Sequence, residues 1–357
     1  MAVNAYIYNY LSGFVVVNTV SHAIVGTFTE TLDDVSYLVG APNGRFVYAT
    51  NDNLSVAAIN TQTNKVSSVG LSSASLAVTP DSKKLYVTPG NTDLVEVLDA
   101  RTFDELGSIA VGQFSIGVTV TPDGRFAYAS TFNPFIFPNT SSIRVIDTAS
   151  NSIIATIAGT GVVRSPFLLA TPDSRFVYVP NLTGVNTISV IDTTSNIVAT
   201  IINDIWSAYT MVITPDGKTI YVFGTNEGVT EPLLFVIDTA SNSVTTTISG
   251  FINPGIPAIT PDGKTIWVPG TDAETANGLI YLVSTESNTI EGDISLGATS
   301  LVVPTAVAII KTSGAPPTRQ KPRDDNLALG AVRQRVGKGQ PSSVQNSYRQ
   351  GFAGTYS

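Results

Sequence analysis

The chain has no cysteine, one histidine and two methionines among its 357 residues. Without cysteine it has no disulfide framework, no thiolate metal site and no cysteine nucleophile. Zinc sites draw on several His or Cys ligands, so the lone His22 does not supply one. No Walker loop or dinucleotide fingerprint occurs. The sequence therefore calls for no cofactor, no metal and no catalytic residue.

Charge is also scarce, at 13% of residues against 43% apolar, which supplies a core and argues against disorder over most of the length. No apolar run approaches the roughly 18–20 residues of a membrane span. The opening stretch MAVNAYIYNYLSGFVVVNTV lacks a basic n-region and is broken by Asn9, Ser12 and Gly13, so it does not read as a signal peptide. A leader removed and replaced by a start Met would leave the same picture. The compartment stays open, an extracellular or surface assembly included.

What is present is a repeat. The phrases TPDSKKLYV from Thr79, TPDGRFAYA from Thr121, TPDSRFVYV from Thr171, TPDGKTIYV from Thr214 and TPDGKTIWV from Thr260 share one pattern. A weaker copy, APNGRFVYA, starts at Ala41. The six prolines lie 38, 42, 50, 43 and 46 residues apart, a period that fits one four-stranded propeller blade per repeat. Each repeat reads as an apolar first strand, a Pro-Asp-Gly/Ser turn, an alternating second strand, a third strand of the type VIDTAS and a β-branched fourth strand.

Six full repeats cover roughly residues 28–294, and the two ends read as one more blade cut in two. Pro304–Ile310 supplies its first strand, and AYIYNY, GFVVVNTVS and AIVGTF supply the other three. Closure from both ends removes the exposed edges of an open array. The expected fold is all-β: a seven-bladed β-propeller over residues 1–312, sealed by strands from both termini. Residues 313–357 form a basic, largely extended tail, with Asp325–Val336 as a short helix candidate.

The combination of TPDGKxxYV, VIDTxSNxVxxTI and this period is similar to the YVTN-type β-propeller family over about residues 1–310. That resemblance implies the propeller fold. Its relatives include surface-layer-type proteins, a DNA-binding propeller and, more distantly, propeller lactonases, so it does not choose a function.

In this layout the Pro-Asp-Gly and Asp-Thr-x-Ser-Asn turns share one face, and the longer, irregular loops share the other. Binding usually resides in variable loops on a rigid scaffold. The candidate partner-binding residues there are Asp34, Gln113, Phe114, Phe135, Phe137, Arg164, Trp206, Tyr209 and Asn253. Phe135 and Phe137 belong to an unusually apolar loop, Thr131–Asn139, that reads either as a contact patch or as a self-buried one. Trp206 and Tyr209 read either as a ligand stack at the channel mouth or as packing between blades. Arg164 faces either an anionic ligand or an acid such as Asp204. Asn53, Asn139 and Asn181 open N-x-Ser/Thr sequons in the same loops. The Asp repeated in each Pro-Asp turn reads as a turn former.

Charge divides the chain. Residues 1–310 hold 11 basic and 25 acidic side chains, whereas residues 311–357 hold eight Lys/Arg against Asp324 and Asp325. The tail spaces Arg333, Arg335 and Arg349 with Tyr348, Phe352 and Tyr356, a composition suited to anchoring on another protein. The reading favoured is a non-enzymatic scaffold that binds a macromolecule through its loop face, in a homo-oligomeric or hetero-assembly tethered by the tail. A lactonase-like hydrolase in the central channel and nucleic-acid binding through the tail remain the alternatives.

Overall fold

Five of the repeated phrases make the same turn. Threonine hydroxyls donate to the aspartates two residues on, as in Thr79–Asp81 at 2.7 Å, Thr171–Asp173 at 2.6 Å and Thr260–Asp262 at 2.6 Å. The same carboxylate oxygens accept the backbone N–H two residues further, at 3.1 Å from Lys83, Arg175 and Lys264. Each aspartate is thus a local stitch of the chain.

A computed structural model describes residues 2–9, 13–29, 32, 35–51, 55–71, 75–90, 92–133, 140–158, 166–181, 186–296 and 304–312. Its strands in chain order are β1 (Ala2–Asn9), β2 (Gly13–Asn18), β3 (Ile24–Phe28), β4 (Val35–Gly40), β5 (Phe46–Asn51), β6 (Ser55–Asn60) and β7 (Val66–Gly70). Next come β8 (Ser75–Val78), β9 (Lys84–Thr88), β10 (Leu94–Asp99), β11 (Glu105–Ala110), β12 (Phe114–Val120), β13 (Phe126–Asn133), β14 (Thr140–Asp147) and β15 (Ser152–Ala158). The second half holds β16 (Leu169–Ala170), β17 (Phe176–Asn181), β18 (Thr187–Asp192), β19 (Ile197–Ile202), β20 (Trp206–Ile213), β21 (Thr219–Thr225), β22 (Leu233–Asp238) and β23 (Ser243–Ile248). It ends with β24 (Ala258–Ile259), β25 (Thr265–Thr271), β26 (Gly278–Ser284), β27 (Thr289–Ser295) and β28 (Pro304–Thr312).

These strands form seven four-stranded sheets. Blades 1 to 6 run β4–β7, β8–β11, β12–β15, β16–β19, β20–β23 and β24–β27. The closing blade has the order β28-β1-β2-β3, with β28 antiparallel to β1 from Ala2↔Thr312 to Asn9↔Pro304. The seven-bladed propeller sealed by both ends of the chain is therefore what forms.

Two innermost strands, β16 and β24, are only two residues long. Pro257 precedes β24 and carries no N–H for a ladder. Ile256 instead bridges in parallel to Ala306 of the closing blade, with its N–H donating to Thr305 O at 2.9 Å.

Apolar side chains of facing sheets merge into seven core clusters, one for each pair of neighbouring blades. The cluster of Ala5, Ile7, Val15 and Val17 with Trp267, Ile280 and Ile294 joins blade 6 to the closing blade. The cluster of Tyr6, Tyr8 and Phe14 with Val35, Leu38 and Val47 joins the closing blade to blade 1.

A polar latch crosses most of these interfaces. The buried tyrosine of a second strand reaches the asparagine in the next blade's turn between third and fourth strands: Tyr86–Asn151 at 2.7 Å, Tyr128–Asn196 at 2.7 Å, Tyr178–Asn242 at 2.6 Å and Tyr221–Asn288 at 2.7 Å. Those asparagines have φ of +52°, +54°, +51° and +54°, a left-handed conformation that Asn tolerates better than most residues. Where the turn residue is His22, the partner is Trp267 rather than tyrosine, and the two rings meet edge-on at 5.8 Å. Where it is Phe103, Tyr48 donates to Ala100 O at 2.6 Å instead.

Tyr178→Phe is expected to cost about 1–2 kcal/mol in urea unfolding, because it strips the Asn242 carbonyl of its donor. Asn242→Ala loses the same bond. The double variant should therefore cost less than the two singles added together. Strict additivity would show that the latch carries no energy.

Candidate functional site

Chain direction fixes the two faces of the ring. The links within each blade from first to second strand, and from third to fourth, make the turn face. The links from second to third strand, and from blade to blade, make the loop face.

On the turn face the polar groups are spent on the turns themselves. Asp147 accepts from Ala149 N, Ser150 N and Ser150 Oγ at 3.1, 2.8 and 2.8 Å, and Asp192 repeats the arrangement with Thr194 and Ser195. This face carries Arg45, Lys65, Lys83, Lys84, Arg101, Arg125, Arg175, Lys218 and Lys264, most of the basic residues of the propeller.

The turn face interleaves these basic residues with its turn aspartates, whereas the described part of the loop face carries one sign only. Its described links hold Asp93, Asp204, Glu227, Glu231, Asp272 and Glu274, and among these described links there is no Lys or Arg. Val229 and Ile252 stand 42% exposed in the same sector. Hydroxyl and amide of Thr275 hold the Asp272 carboxyl below the usual carboxylate range. Among the described residues no group of His, Asp and Glu side chains is arranged to hold a metal ion.

Several expected site residues come together here. Tyr209 stacks on Phe223 at 5.9 Å, Phe223 meets Phe251 at 5.0 Å, and Phe251 meets Tyr281 at 5.4 Å. Burial pushes the Tyr209 hydroxyl well above its ordinary range. Asn253 Nδ2 donates to Thr271 Oγ1 at 3.1 Å, and Ile252 N donates to Tyr281 Oη at 3.2 Å. Tyr209 and Asn253 thus belong to the blade 5–6 seam; Trp206, half-buried, heads β20 and pairs with Thr225 across to β21. Gln113 and Phe114 lie in another sector, between blades 2 and 3. Gln113 Oε1 accepts from Thr131 Oγ1 at 3.0 Å, and Phe114 is the cross-strand partner of Phe132. Asp34, Phe135, Phe137 and Arg164 lie outside the described residues, as do Arg333, Arg335, Tyr348, Arg349, Phe352, Tyr356 and the Asp325–Val336 helix candidate.

The strands run further into the loops than the sequence suggests. Phe132 and Asn133 belong to β13, and Phe132 is buried. Asn181 ends β17, is buried, and spends its amide on Thr187 Oγ1 at 2.8 Å and Ser189 Oγ at 3.0 Å. A glycan needs that amide in solvent, so this sequon is closed in the folded chain. Asn53 and Asn139 lie outside the described residues.

An aromatic contact that sequence reading missed crosses the middle of the ring. Tyr37 on β4 of blade 1 and Phe167 just before β16 of blade 4 have ring centroids 5.5 Å apart. Blades 1 and 4 are not neighbours, so this pair spans the axis between innermost strands. Burial pushes the Tyr37 hydroxyl up to about 12. Tyr37 pairs with Thr50, and the equivalent inner-strand residues are Ser75, Gly117 and Thr210. That contrast of one aromatic against small residues was the available signal.

The chain resembles solved propellers. A structure titled hydrazine synthase from Kuenenia stuttgartiensis superposes with a TM-score of 0.63 at 20% identity, over 81% of this chain and 99% of that one. The dihydro-heme d1 dehydrogenase NirN, in complex with DHE, superposes with a TM-score of 0.62 at 16% identity, over 85% of this chain and 74% of that one. The likeness is one of fold. No protein-family model and no curated protein matches the sequence.

The propeller thus offers two unlike surfaces around a core bridged by aromatics. The turn face is stitched to itself and carries both signs of charge. The loop face is acidic with isolated exposed apolar side chains. Such a surface can recognise a basic, aromatic-bearing polypeptide by charge and contact.

Proposed function

We propose that this protein is a non-enzymatic scaffold whose acidic loop face receives the basic tail of a neighbouring copy, linking propellers head to tail. The observation that carries this reading is where the chain leaves the ring. The innermost strand β28 starts on the loop face and ends at Thr312 on the turn face. There Lys311 and Thr312 pack against Gly44, whose φ of +70° and close backbone approach leave no room for a Cβ.

Thr312, the last described residue, therefore stands on the face opposite the acidic one. The sequence that follows, residues 313–357, carries seven Lys/Arg against two Asp, with Tyr348, Phe352 and Tyr356 interspersed. Charge complementarity of this kind steers association and fixes register. A donor surface on one side and an acceptor on the other makes a heterologous contact, which builds rings or filaments. The resemblance to YVTN-type proteins, which include surface-layer-type members, agrees with an assembling role.

The test compares the full chain with a form ending at Ser313, by light scattering on a sizing column at low and high salt. The full chain should associate with rising concentration and lose association as salt screens the contact. The shortened form should stay monomeric and should bind a peptide of residues 313–357. Glu227→Lys combined with Glu231→Lys should weaken that peptide at least about tenfold. Equal mass for both forms at every salt concentration, or peptide binding indifferent to the charge reversal, would overturn the reading.

A further inference from the structure

We propose that the groove between blades 1 and 2 on the turn face binds a small oxyanion, a phosphate or a carboxylate, through Arg45 and Arg101. The groove holds about 340 Å³ and is lined by Arg45, Phe46, Asn60, Gln62 and Arg101. It lies on the face opposite the acidic loops and is independent of the tail-docking reading.

Two departures from the repeat meet there. In other blades the basic residue after the turn stands beside an aspartate. Lys83 pairs with Asp81 at 3.6 Å and Lys218 with Asp216 at 3.8 Å. In blade 1 that aspartate is Asn43, which keeps the turn bond, accepting from Arg45 N at 2.9 Å, but carries no charge. The second departure is in blade 2. Arg101 stands where the third, fourth and fifth blades have Ala149, Thr194 and Ala240. One acid lost and one cation gained thus converge on one groove.

The nearby acids, Asp99 and Asp104, are hydrogen-bonded within their own turn, and the Arg101 charge adds to the bonds that hold Asp99 below the ordinary carboxylate range. Asp99 accepts from Arg101 N at 2.8 Å, Thr102 N at 2.9 Å and Thr102 Oγ1 at 3.2 Å. Asp104 accepts from Thr102 Oγ1 at 2.7 Å. Among the described residues, no carboxylate lies within ion-pair distance of either guanidinium. Two guanidinium groups suit a single oxyanion because each presents a planar fork of donors to paired oxygens. Asn60 and Gln62 add amides at the rim, and Phe46 supplies an apolar wall.

The experiment titrates the full chain with inorganic phosphate and, separately, with citrate, by calorimetry at constant ionic strength set with chloride. Saturable binding of one anion per chain is expected in at least one arm. The arm that binds tells a phosphoryl from a carboxylate source. Asn43→Asp restores the acid of the other repeats without changing side-chain shape. Arg101→Ala restores the residue of two other blades. Each should weaken binding about tenfold or more, and both together should abolish it. Neither should move the urea midpoint, which separates lost binding from lost folding. Absence of saturable binding in both arms, or equal affinity in wild type and both variants, would overturn the site.

Discussion

A chain ending at Val303 is expected not to fold, whereas one ending at Ser313 should fold like the full protein. The difference between them is β28 and one residue. That strand lays Ala306, Val307, Ala308 and Ile310 into the core, each 5% exposed or less. They belong to two different clusters, Val307 to the seam with blade 6 and Ala306, Ala308 and Ile310 to the seam with blade 1. Fully burying a Val or Ile contributes about 1.5–3 kcal/mol, and the ladder to β1 is lost as well. Domains of this kind are stable by about 5–15 kcal/mol in all. Removing β28 therefore consumes a large part of the total and opens the ring at both sides of the closing blade.

A point variant makes the same case without shortening the chain. Val307→Asp places a carboxylate against Trp267 and Ile280 in a site 1% exposed. A buried, unpaired charge at such a position is expected to cost about 4 kcal/mol or more. Thr305→Ala, in the same strand, loses only a hydroxyl bond to Val35 O at 3.0 Å, for about 1 kcal/mol. Circular dichroism and urea unfolding of the four forms would check the order. A chain ending at Val303 that unfolds as cooperatively as the longer form would show that closure by β28 is dispensable.

Ring closure could be read from the sequence because it rests on local pattern. Val17-Asn18-Thr19 stands where other blades have Ile-Asp-Thr, so the opening strands announce their place in a blade that lacks its first strand. The turn aspartates were legible for the same reason: a short polar side chain beside a residue at positive φ has a local task. Proline explains the shortness of β24 once the sheet is known, but Pro257 does not by itself give a strand length. Tyr37 and Phe167 are 130 positions apart, and Asn43 and Arg101 belong to different repeats. Their meeting depends on which blades face which seam. Pattern within a repeat shows what each blade shares, and function is sought in what one blade does differently.

The turn carboxylates make the fold sensitive to acid in a definite direction. The Thr79 hydroxyl and the Lys83 amide hold Asp81 below the ordinary carboxylate value. Asp216 and Asp262 are lowered in the same way by Thr214 and Thr260. Burial pushes Asp173 up, but bonds from Thr171 and Arg175 bring it below the ordinary value. In the second kind of turn, the amide of Thr102 lowers Asp99, that of Ser150 lowers Asp147 and that of Ser195 lowers Asp192; the Ser241 hydroxyl lowers Asp238. Among the described residues, Glu96 is the one shifted carboxylate that is raised, by burial first and then by Glu105.

A carboxyl lowered in the folded state stabilises the fold above its unfolded value, here 3.8, and that contribution is lost as pH falls through the folded value. Glu96 works the other way, and eight turn carboxylates outweigh it. Urea midpoints should hold steady from about pH 7 to 5 and fall progressively between about pH 4 and 2. Each exposed turn contributes little by itself, because solvent screens it. The repeat makes the effect large by placing the same stitch around the ring. Asp216→Asn keeps the turn acceptor and removes the charge, so it should flatten the acid limb slightly while leaving pH 2 stability unchanged. A midpoint that stays level or rises from pH 5 to pH 2 would show that these bonds do not favour the charged form.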